Sequence, residues 1–113
     1  HAFTPQNCSN FVWSYATMRI GNADMFEAMS HQVRIWLLTE FDPQHLSNVL
    51  WSYAKLQVCD RALFEAAAEE IVRRGIEYLS RSSQNISNVI WAYGAVGIRP
   101  PALLAAIERE VTG

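Results

Sequence analysis

The stretch FTPQNCSNFVWSYATM, from Phe3 to Met18, returns as FDPQHLSNVLWSYAKL between Phe41 and Leu56, and a worn third version, RSSQNISNVIWAYGAV, runs from Arg81 to Val96. Matching Gln6, Asn10, Trp13 and Tyr15 to Gln44, Asn48, Trp51 and Tyr53 sets a shift of 38 residues, and a further shift of 40 reaches Gln84, Asn88, Trp91 and Tyr93. The second half of each unit keeps the same register: MFEAM from Met25 aligns with LFEAA from Leu63 and LLAAI from Leu103. The chain therefore reads as a single domain over residues 1–113, made of repeats 3–40, 41–80 and 81–113. Periods of about 20 to 50 residues belong to stacked arrays, in which one unit cannot bury its own apolar face and borrows a neighbour's.

Each unit reads as two helices. Thr4-Pro5 and Asp42-Pro43 place a capping side chain before a proline at the first helical position, and Ser82-Ser83 is a weaker version. On a wheel of about 100° per residue, Leu46, Val49, Leu50, Tyr53 and Leu56 gather on one side of the first helix. Gln44, Asn48, Ser52 and Lys55 gather opposite, with Trp51 on the flank. The apolar side in the other copies is Cys8, Phe11, Val12 and Tyr15, and then Ile86, Val89, Ile90 and Tyr93. The second helix starts near Asn22, Asp60 and Pro100. Its inner stripe is Met25, Phe26, Met29 and Val33, then Leu63, Phe64, Ala67 and Ile71, then Leu103, Leu104, Ile107 and Val111. Glu69 and Glu70 stand four residues before Arg73 and Arg74, a pairing expected on a solvated outer face. The expected fold is all-α: an α-solenoid of three helix-turn-helix repeats and six helices, with the two extra residues near EYLSRSSQ absorbed by a loop and a local change of curvature there.

Helix pairs of this length, with a Pro-Gln, a Ser-Asn and a Trp-Ser-Tyr-Ala at fixed places, resemble the octotricopeptide repeat family across essentially the whole chain. Copy three keeps Gln84, Asn85, Ser87, Asn88, Trp91, Ala92 and Tyr93 but lacks the phenylalanine and proline of its predecessors. The resemblance implies an RNA-binding α-solenoid of a chloroplast or mitochondrion. Some members of that family end in a nuclease-like domain, and none is read in these 113 residues.

A single strand bound along such an array needs polar readers and stacking surfaces spaced along successive helices. The candidates are Gln6, Asn7, Asn10, Ser14 and Thr17 in the first unit, Gln44, His45, Asn48, Ser52 and Lys55 in the second, and Gln84, Asn85 and Asn88 in the third. Asn and Gln both donate and accept. Residues that repeat without change suit packing, which is the same in every unit. On that ground Trp13, Trp51 and Trp91, with Tyr15, Tyr53 and Tyr93, are expected to form a ladder that holds the stack together. The Asn10, Asn48, Asn88 series has two readings, base reader or tie between helices. The slots that vary, Asn7, His45 and Asn85 or Thr17, Lys55 and Ala95, suit discrimination better.

Charge pulls the other way. Nine basic residues face eleven acidic ones, for a net charge of -2, and Lys55 alone projects from the reading side. Phosphate contact dominates nucleic-acid affinity and calls for clustered Lys and Arg. A second expectation is therefore a protein-binding scaffold, an accessory subunit of a large organellar assembly such as a photosystem, respiratory complex or ribosome. Flanking repeats of a longer chain are a further class of partner, since the sequence starts at His1, almost on a repeat boundary.

Other classes have less support. The longest apolar run, around Val89 to Ile98, is too short for a membrane span and contains Gly94 and Gly97. Cys8 and Cys59 make no metal pattern; they read as a buried small hydrophobe and a loop thiol. His1, His31 and His45 have no acid, nucleophile or metal partner at helical spacing, and Asp42 beside His45 reads as a cap. No enzymatic activity, cofactor or metal is expected.

Overall fold

The computed structural model describes residues 5–18, 23–36, 41–80 and 83–112. These form α1 (Pro5–Met18), α2 (Ala23–Trp36), α3 (Pro43–Lys55), α4 (Arg61–Arg74), α5 (Glu77–Ser80), α6 (Ser83–Val96) and α7 (Pro101–Thr112). Among the described residues there is no strand, and the fold is all-α.

The helix entrances follow from local chemistry. Asp42 caps α3, accepting from the Gln44 N–H at 2.8 Å, with Pro43 occupying a position whose missing donor costs nothing. Asp60 caps α4 in the same way through the Leu63 N–H at 3.1 Å. Thr4, Asn22 and Ser82, expected at the other entrances, lie outside the described residues.

Two rows of helices result. In one, α3 packs between α1 and α6; in the other, α4 touches both α2 and α7. A recurring aromatic contact joins the rows. Tyr53 of α3 meets Phe26 of α2 edge-to-face at 5.0 Å, and its hydroxyl donates to the Phe26 carbonyl at 3.2 Å and shares a hydrogen bond with Ser30 Oγ at 2.9 Å. Tyr93 of α6 repeats this on α4, meeting Phe64 at 5.1 Å and donating to its carbonyl at 2.6 Å. The two contacts are related by the sequence shifts themselves, Phe26 to Phe64 and Tyr53 to Tyr93. Tyr53 of α3 and Tyr93 of α6 thus each sit on the second helix of the preceding unit. Around these rings lies one buried cluster that includes Val33, Leu46, Leu50, Leu63, Ile71, Val89 and Leu103.

The described residues hold seven helices where six were expected. The additional one, α5, occupies the insertion between the second and third units. Gly75, at φ 91°, stops α4 while its N–H still bonds the Ile71 carbonyl at 3.0 Å. The chain then makes one turn that buries Leu79 in the core. Tyr78 O–H and Arg74 Nη1, the latter at 3.1 Å, both donate to the Phe41 carbonyl, tying this turn to the entrance of α3.

Glu70 also departs from expectation. It is buried, not solvated, and its carboxylate accepts from Arg73 and Arg74 of the next turn. The Arg74 bridge to Phe41 explains why: Glu70 lies under the α4–α5 corner and anchors the arginine that closes it.

Candidate binding face

Gln, Asn and Trp recur in the first helices at spacings of four and three residues, with one more position four residues on. Residues at i, i+4, i+7 and i+11 share one helix face. The strip is Gln6, Asn10 and Trp13 on α1, Gln44, Asn48, Trp51 and Lys55 on α3, and Gln84, Asn88, Trp91 and Ala95 on α6. Every member is exposed or half-buried. Because α1, α3 and α6 lie side by side, the three strips form one surface of amides edged by indoles.

Its geometry is partly ordered. The Trp51 and Trp91 rings stand 6.2 Å apart, tilted by 36°. Lys55 Nζ lies 6.0 Å from the Trp51 ring centre, within cation–π range. Gln84 Nε2 donates to Asn88 Oδ1 at 2.8 Å, which sets the two amides of α6 against each other. Lys55 is the single charged residue among the strip positions.

Several sequence expectations need correction. The tryptophans, expected to serve packing, are largely open to solvent: Trp13 is 47% exposed, Trp91 46%, and Trp51 is half-buried. The Trp51–Trp91 contact does link adjacent helices, so the indoles are both a tie and a surface. Tyr53 and Tyr93 are buried as expected, whereas the Tyr15 side chain lies outside the described residues. Two proposed readers are buried. Ser52 turns its hydroxyl to the Asn48 carbonyl of its own helix at 2.7 Å. Asn85 accepts from Ser47 Oγ at 3.1 Å across the α3–α6 contact, so the slot expected to vary for recognition serves packing there.

The remaining candidates divide by position. Gln6, Asn10, Gln44, Asn48, Lys55, Gln84 and Asn88 belong to the strip. Asn7 and Ser14 are exposed on the flank of α1, and His45 is half-buried at the same slot as Asn7. The Thr17 side chain lies outside the described residues. The spacing of tryptophan from asparagine in each copy was the signal that could have placed the indoles on the amide face.

Elsewhere, a groove of about 500 Å³ runs between α4 and the start of α7, where Arg61, Glu65, Glu69, Arg73 and Arg99 surround an apolar floor that includes Val72. Its charges are of both signs. Among the described residues no three His, Cys, Asp or Glu side chains come together as a metal site requires, and no helix is long and apolar enough to cross a membrane. Cys59 is an exposed thiol in the link between α3 and α4. No protein-family model, curated protein or solved structure matched the chain.

Proposed function

We propose that this chain is a non-catalytic binding module, a short α-solenoid of three hairpins, that takes single-stranded RNA along the strip of α1, α3 and α6. The observation that carries this reading is the register of exposed indoles and amides on neighbouring first helices. Indole faces stack on bases irrespective of sequence at about 1 to 3 kcal/mol per base, while Asn and Gln offer donor and acceptor to base edges. The octotricopeptide resemblance adds the expectation of a chloroplast or mitochondrial setting.

The near absence of cations shapes the expected behaviour. With Lys55 as the strip's one cation, log K should fall with log salt by only about 0.7 per decade, the slope for one neutralised phosphate on a single strand. Fluorescence anisotropy with a labelled random-sequence RNA at low salt tests this. Binding should weaken about tenfold or more in the Trp51→Ala/Trp91→Ala double variant, since each lost stack costs upwards of about 1 kcal/mol. Lys55→Glu should weaken it and flatten the salt dependence. Undetectable binding at low salt contradicts the RNA reading.

That result would favour the second reading, an accessory scaffold that binds protein subunits of a larger organellar assembly. Its supporting observation is the same lack of positive charge, in a chain of net charge -2.

A further inference from the structure

The seam between the second helices of successive units is built differently at its two occurrences. Between α2 and α4, Arg34 Nη1 reaches the carboxylate of Asp60, the residue that caps α4, at 3.7 Å. The repeat register carries Arg34 to Val72 and Asp60 to Pro100. Between α4 and α7, therefore, an apolar side chain and a proline stand where the earlier seam has an ion pair. Val72 and Pro100 both line the groove of about 500 Å³ between these helices, and Val72 is left 38% exposed. Buried Ile98 and Leu103 line it too. One wall is α4 from Arg61 to Arg73, and the other is the α6–α7 link with the first turn of α7. The α4 wall measures about 18 Å at 1.5 Å per residue, the reach of about five extended residues.

Charges on the rim decide what fits. Arg61 pairs with Glu65 at 3.4 Å, and Arg73 Nε donates to Glu70 at 3.0 Å. Glu69 on α4 and Arg99 on the link are exposed, and among the described residues neither side chain makes an ion pair or a hydrogen bond. One anion and one cation are thus left unanswered beside an apolar floor. A nucleic acid answers Arg99 alone and is repelled by Glu69. A polypeptide can answer all three.

We infer that this groove binds an extended peptide segment of a partner protein, with an aliphatic side chain on Val72 and the floor, a Lys or Arg on Glu69 and an Asp or Glu on Arg99. The site belongs to the second helices and is independent of RNA binding along α1, α3 and α6.

Random short peptides displayed on phage and selected against the full chain test it, with calorimetry on the enriched sequences. Those sequences should carry an aliphatic residue flanked by a basic and an acidic one, and should bind one to one. The Val72→Arg/Pro100→Asp double variant rebuilds the ion pair of the α2–α4 seam, with its carboxylate before Pro101 as Asp42 stands before Pro43. It closes the groove and should weaken binding about tenfold or more. Glu69→Arg should also weaken binding, and a peptide whose basic residue is replaced by Glu should recover it. Arg99→Glu should behave likewise towards a peptide whose acidic residue is replaced by Lys. Should the double variant lose its helical circular dichroism, the two charge variants and their rescue decide alone. Failure to enrich any shared sequence overturns the proposal. So do peptides that bind the folded double variant as tightly as the wild type, and so does self-association that the double variant abolishes, which makes a second copy the occupant.

Discussion

Tyr93 and Glu70 show how individual residues hold this fold. The Tyr93 hydroxyl donates at 2.6 Å to a carbonyl of the preceding unit's second helix, in surroundings that push its ionisation upward by burial. Tyr93→Phe keeps the ring contact with Phe64 and removes only the hydrogen bond. It should cost about 1 kcal/mol, or about 4 °C in melting temperature, readable by thermal circular dichroism. Burial likewise raises the Tyr78 phenol to about 12. Both phenols favour the protonated form in the folded state. Their contribution is complete below the ordinary tyrosine value of about 10 and is lost as pH rises through the raised values, which for Tyr78 is about 12. The Glu70 carboxyl is shifted the other way. The hydrogen bond from Arg73 lowers it most, Arg74 adds to this, and desolvation opposes both. Its contribution is present above the ordinary glutamate value of about 4.3 and disappears as pH falls through the lowered one. Urea denaturation across pH should therefore show stability falling at both extremes, with the acid arm shallower in Glu70→Gln. An acid arm unchanged by that substitution contradicts the assignment.

The ends of α3 and α6 make an informative pair of elements. Val58 N–H bonds the Tyr53 carbonyl at 2.8 Å and Ile98 N–H bonds the Tyr93 carbonyl at 3.1 Å, so both helices close with the same backward bond. The residue between must turn left-handed, and it is Gly97 at φ 78° in one unit but Gln57 at φ 61° in the other. A side chain at such an angle costs about 1 kcal/mol relative to glycine. Gln57→Gly should therefore raise stability by up to about 1 kcal/mol, and a loss of stability would show that the Gln57 side chain contributes more than its backbone costs. Most elements were legible in the sequence because their determinants are local. Asp42-Pro43 and Asp60 declare their helix entrances, and the apolar stripe of α4 announces its inner face. The short α5 was not legible. Its making depends on Phe41, more than thirty residues away, accepting from Arg74 and Tyr78.

At the scale of the molecule, a helical wheel separates apolar from polar but does not say which polar flank a neighbour will cover. α3 has neighbours on two sides, and Ser47 and Ser52, both polar, are buried, Ser47 in its contact with Asn85 of α6. What stays open is the narrow arc of Gln, Asn and Trp, and invariance across copies disguised it as packing. The wheel also put Phe11 and Ile90 on the apolar side, and both remain on the surface, 37% and 45% exposed. The central claim is that the open arc is the binding face, and the indole N–H resonances of the protein report on it most directly. On titration with single-stranded RNA at low salt, the resonances of Trp13, Trp51 and Trp91 should shift together while that of Trp36, a residue of α2 and of none of the three strip helices, stays where it is. Unmoved strip indoles at saturating RNA, or a shift confined to Trp36, would contradict the account.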